Sequence, residues 1–92
     1  MFKAVTIVNG KATAFFSKSP KRATERAFSH IRGAELNYVL GRDVLDSVGM
    51  YLYRGGEELF WIHRQYPCVQ ISGNVPDDIY RFITNVWMDI PR

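Results

Sequence analysis

Apolar and polar positions alternate with period two over Phe2–Val8 and again over Lys11–Ser17, with Asn9-Gly10 between the two runs. Alternation of this kind belongs to strands, and Asn-Gly supplies the two positive-φ residues that a type I′ turn needs. The spacing predicts a hairpin with Val8 opposite Lys11. One face then carries Val5, Ile7, Ala12, Ala14 and Phe16, and the other carries Phe2, Ala4, Thr6, Val8, Lys11, Thr13 and Phe15. The first face is the more uniformly apolar, so it is expected to meet the core. That choice leaves Phe2, Val8 and Phe15 without a role.

The period changes at Ser19-Pro20, where a capping serine and a proline at the first helical position open a helix. Ala23, Ala27, Ile31 and Ala34 form its apolar stripe with Phe28 at the edge, and Gly33 offers a stop. Residues 35–46 are expected to form a packed loop, with one turn of helix at 43–46. Leu36, Tyr38, Val39, Leu40, Val44 and Leu45 are apolar enough to pack there, and Gly41 interrupts any long helix. A second hairpin is predicted from residues 47–53 and 58–64 around Gly55-Gly56, followed by a short strand at 68–72 started by Pro67. The last helix begins near Pro76 with Asp77 and Asp78 in its first turn. Ile79, Phe82, Ile83, Val86, Trp87 and Ile90 give it the clearest amphipathic spacing in the chain. The order ββαβββα defines an α+β fold, an antiparallel sheet with two helices on one face, in a single domain spanning residues 1–92.

Composition agrees with a small globular unit: 47% of the 92 residues are hydrophobic, and five Tyr, six Phe and two Trp can fill one core. No apolar run approaches a membrane span, and no signal-peptide h-region follows Met1. The single Cys68 cannot close an internal disulfide, which fits a reducing compartment. Charge is distributed unevenly. Residues 1–34 hold seven Lys/Arg against one acid, whereas residues 35–92 hold five against eight. An arginine-rich N-terminal part favours an acidic or polyanionic partner, although a solvated helix face has the same pattern.

Catalytic chemistry finds no purchase in the residue list. One Cys and two His cannot complete a tetrahedral metal site, and Cys68 in a strand-like run is expected to be a buried, inert thiol. The carboxylate pairs Asp77/Asp78 and Glu57/Glu58 have capping and turn explanations, and nothing near Asp43/Asp46 in the sequence suggests a substrate pocket. Gly55-Gly56 lacks the remainder of any phosphate-binding fingerprint. A non-enzymatic binding domain without metal, cofactor or small-molecule substrate is therefore expected.

The expected partner-binding residues are Lys18, Lys21, Arg22, Arg26, Ser29 and Arg32, with Lys18, Arg22 and Arg26 aligned by a spacing of four. Tyr51, Tyr53 and Phe60 are expected to share one face of the second hairpin and, with Arg54 and Arg64, to form a secondary contact that could stack bases. Burial favours the plainer reading, in which this face packs on a helix. From Ser19 onward the order αβββα matches double-stranded-RNA-binding domains. Asp77-Asp78 at the start of the last helix would repel the phosphates that lysines grip there in such domains.

The opening Met1-Phe2-Lys3-Ala4-Val5-Thr6-Ile7-Val8-Asn9-Gly10, the stretch Ser17-Lys18-Ser19-Pro20-Lys21-Arg22-Ala23 and the total length resemble phage-encoded anti-CRISPR proteins of the class that inhibits type I-F surveillance complexes. The resemblance implies a stoichiometric inhibitor in the cytoplasm of an infected bacterium. It would dock on protein subunits of the RNA-guided complex, with the guide RNA as a further contact, and stop target DNA from entering or hybridising. A small basic nucleic-acid-binding module without a defence role is the alternative.

Overall fold

The Asn9-Gly10 turn forms with φ of 49° at Asn9 and 82° at Gly10, and Val8 stands opposite Lys11. The computed structural model describes residues 1–65 and 68–87. Its elements are β1 (Phe2–Val8), β2 (Lys11–Ser17), α1 (Pro20–Val39), β3 (Val48–Arg54), β4 (Glu57–Gln65), β5 (Cys68–Gly73) and α2 (Asp77–Val86). The order is ββαβββα, as expected. The strands make one antiparallel sheet ordered β2-β1-β3-β4-β5, so α1 carries the chain across β1 to lay β3 on its far side. Pro67 and Ile90, to which the sequence assigned a strand start and a helix stripe position, lie outside the described residues.

The faces of the first hairpin are the reverse of the expected ones. Ala4 and Thr6 are fully buried, and Phe2, Val8 and Phe15 pack against the core. Val5 and Ile7 are only half-buried on the other side, and Phe16 is 53% exposed. Counting apolar residues failed here because close approach matters more than hydropathy. Ala4 on β1 and Ala23 and Ala27 on α1, all at 0% exposure, let the helix lie near the sheet. Thr6 tolerates burial because its hydroxyl donates to the Thr13 carbonyl at 3.3 Å across the hairpin.

Ser19 caps α1 as expected, its Oγ accepting from the Arg22 N–H at 3.2 Å, with Pro20 at the first helical position. The helix does not stop at Gly33. It runs on to Val39, so the predicted loop at 35–46 is helical over residues 35–39, and residues 43–46 form no helical turn. Gly33 keeps helical φ and lies in open space, whereas Gly41 adopts φ of 72°. Around Gly41 the helix closes with two bonds, Gly41 N–H to the Tyr38 carbonyl at 3.0 Å and Arg42 N–H to the Asn37 carbonyl at 2.8 Å. That pair is a Schellman motif, and it sets the true end of the helix. Asn9 then straps the segment that follows to the hairpin turn. Its Nδ2 donates to the Val44 carbonyl at 2.6 Å, and its Oδ1 accepts from the Asp46 N–H at 2.7 Å.

The two glycines should respond oppositely to alanine. Gly33→Ala adds a helix former in open space and is expected to stabilise the chain by about 0.5–1 kcal/mol. Gly41→Ala forces a side chain into the left-handed region and should destabilise by about 1 kcal/mol. Thermal unfolding of the two variants reads both signs. A fall in midpoint for Gly33→Ala would contradict the continuous helix.

Both helices cover the same face of the sheet. Phe28 of α1 meets the rings of Phe82 at 5.8 Å and Trp87 at 5.0 Å, both edge-on, above Met50, Leu52, Phe60 and Ile62. Beyond the last turn of α2, Trp87 donates its indole N–H to Glu35 Oε1 at 3.1 Å. A β-bulge between Leu52 and Tyr53 places Leu52 opposite Phe60 and Tyr53 opposite Glu58.

Candidate macromolecule-binding surfaces

The outer side of α1 carries Lys21, Arg22, Arg26, Ser29 and Arg32, all exposed, while the adjacent Glu25 is half-buried. Lys18 is exposed as well but precedes the cap, in a bend ahead of the helix, so it extends the patch without sharing the helical row. Arg26 Nη1 donates to the Phe16 carbonyl at 3.2 Å, which ties the basic row to the end of the edge strand β2. The first turn of α1 contains no acid and instead places Lys21 and Arg22 where the macrodipole opposes positive charge. Each such placement costs about 0.3–1 kcal/mol when exposed. Fold stability gives no reason to put cations there.

Farther along the same helix the surface changes character. Leu36, Tyr38, Val39, Leu40 and Val44 are each more than half exposed. Their hydropathy predicts that they pack, with Leu45, in a loop, and only Leu45 of that set lies against the core. Tyr38 and Val39 line an open groove of about 470 Å³ together with Glu35, Leu45, Val48 and Arg64. Contiguous exposed apolar patches on small domains often serve as contact surfaces. The helix pattern could not reveal them, because their spacing is also that of a buried stripe.

The expected secondary set does not stay together. Tyr51 and Tyr53 lie on the sheet face away from the helices, half-buried, and Arg54 is exposed with Glu57 4.0 Å away. Phe60 is at 1% exposure on the opposite face, because the bulge shifts its register by one residue and one residue reverses a side chain. Arg64 also faces the helix side. Its guanidinium is 3.9 Å from Glu35 Oε2 and 5.4 Å from the centre of the Trp87 ring, so it braces three elements. Phe60 and Arg64 therefore leave the candidate surface.

Cys68, expected to be buried, is exposed on the edge strand β5. His63 turns to the Tyr51 hydroxyl at 2.8 Å. Among the described residues no three His, Cys, Asp or Glu side chains converge on a metal-sized space, and no helix is long and apolar enough to cross a membrane. At the start of α2, Asp77 and Asp78 are exposed, and Asp78 Oδ1 accepts the Ile79 N–H at 2.9 Å. That end of the molecule is acidic, which opposes a grip on duplex phosphates there. No protein-family model, curated protein or solved structure matches this chain.

Proposed function

We propose that this chain is a non-enzymatic inhibitor that binds the type I-F CRISPR RNA-guided surveillance complex and prevents target DNA binding or hybridisation. The observation that carries the reading is the surface of α1, where an exposed basic row is followed on the same helix by an exposed apolar cluster. A protein–RNA assembly offers both kinds of complement, acidic or phosphate-lined grooves for the arginines and protein surface for Leu36, Val39 and Leu40. The resemblance of the opening strand and of the Ser17–Ala23 stretch to inhibitors of this class selects that assembly. Action in the cytoplasm of an infected bacterium follows from the same reading.

The test is incubation with a purified type I-F complex, followed by size exclusion and a target-DNA binding assay. The expected result is co-elution together with loss of DNA binding. Separate elution with DNA binding unaffected would overturn the proposal.

A further inference from the structure

Among the described residues no element covers the face of the sheet opposite the helices. Three rows of side chains run across it, set by the strand registers: Phe16, Lys3, Tyr53 and Glu58; then Ala14, Val5, Tyr51, Trp61 and Ser72; then Ala12, Ile7, Gly49, His63 and Gln70. The rings gather in its middle. Tyr51 and Tyr53 lie nearly parallel, 20° apart with centroids at 6.4 Å, and Trp61 is 6.4 Å from Tyr51. His63 fills the space over bare Gly49, where a Cβ would come within 2.7 Å of the imidazole. Edge contacts to Tyr51 and Trp61 fix its ring.

We infer that this open face binds single-stranded nucleic acid, stacking unpaired bases on Phe16, Tyr53 and Trp61. Sheets with exposed aromatic residues hold bases in this way because every base has an apolar π-face. The charge around the face selects the occupant. Cations collect at the Phe16–Tyr53 end: the Lys3 ammonium lies 5.1 Å from the Tyr53 ring centre, and Arg26 is bonded to the Phe16 carbonyl. Lys18 and Arg54 are exposed at the adjoining strand ends. Among the described residues the one acid in these three rows is Glu58, at the corner of the β3–β4 turn. A strand laid along the β2 edge meets Lys3, Lys18 and Arg26 with its phosphates while its bases point across the rings. The inference deepens the inhibitor reading by naming the chemistry of a second contact. Its test uses no surveillance complex, so the two can fail separately.

The probes are a ten-nucleotide oligouridylate and an oligothymidylate of equal length, titrated into the full chain while tryptophan emission is followed. Trp87 is at 2% exposure, so quenching by stacked bases reports Trp61. Saturable quenching that weakens steeply with salt is expected. Phe16→Ala and Tyr53→Ala should each lower affinity about tenfold with unchanged circular dichroism. Tighter binding of the RNA assigns a guide-like strand, and tighter binding of the DNA assigns a target-like strand. Absence of saturable quenching by either oligonucleotide would overturn the inference. So would unaltered binding by the Phe16→Ala/Tyr53→Ala double variant, or a dimer in sedimentation that Phe16→Ala dissolves.

Discussion

Replacing Trp87 with alanine should remove a large part of the stability of the fold. The side chain is at 2% exposure, and its ring packs against Phe28 and beneath the Arg64 guanidinium. Truncating a buried tryptophan costs about 3–5 kcal/mol. Small domains are stable by about 0.05–0.15 kcal/mol per residue, so the loss is about a fifth or more of the total for a chain this short. The variant also removes the donor that faces Glu35, leaving that carboxylate to Arg64 among the described residues. Urea unfolding followed by circular dichroism measures the effect. Trp87→Phe restores most of the packing without the indole N–H and should recover most of the lost stability. A shift of under about 1 kcal/mol for Trp87→Ala would mean that the end of α2 is not part of the core.

The second large effect should fall on function and spare the fold. Arg22→Glu combined with Arg26→Glu is expected to abolish inhibition of the surveillance complex. Opposing like charges across an interface costs several kcal/mol, more than about a hundredfold in affinity. The helix itself should gain. Arg22 occupies the third helical position after Ser19, where glutamate completes a capping box and suits the macrodipole. That gain is about 0.3–1 kcal/mol, against the loss of the exposed bond from Arg26 to the Phe16 carbonyl. Inhibition and thermal unfolding should therefore move independently, with activity lost and the midpoint equal or higher. Full inhibition by this variant would rule out the basic face of α1 as the docking surface.

What is legible in the sequence follows the range of the forces involved. Asn9-Gly10, the Ser19-Pro20 cap and the Ile79–Ile83 spacing are short-range signals, and each produced the element expected of it. Gly33 misled because glycine only permits a helix to end. The end came at Gly41, where the backbone turns left-handed and two Schellman bonds satisfy the last carbonyls. The basic residues of α1 were legible because charge at helical spacing needs no tertiary information to be placed outward. The apolar cluster beyond them was not, because exposure and burial look alike in a list of leucines and valines.

By itself the sequence determined the local geometry: where strands turn, where each helix starts, the order ββαβββα, and the concentration of cations on the first helix. These depend on φ preferences, caps and periodicity, all within a few residues. Only the tertiary structure decided which side of each strand is inside. Close approach of Ala4, Ala23 and Ala27 placed α1 on the less apolar face of the first hairpin. One extra residue on β4, Leu59 facing the Leu52–Tyr53 step, sent Phe60 into the core and left Tyr51, Tyr53 and Trp61 together on the open face. Both outcomes come from contacts between residues distant in the chain, which no local pattern encodes.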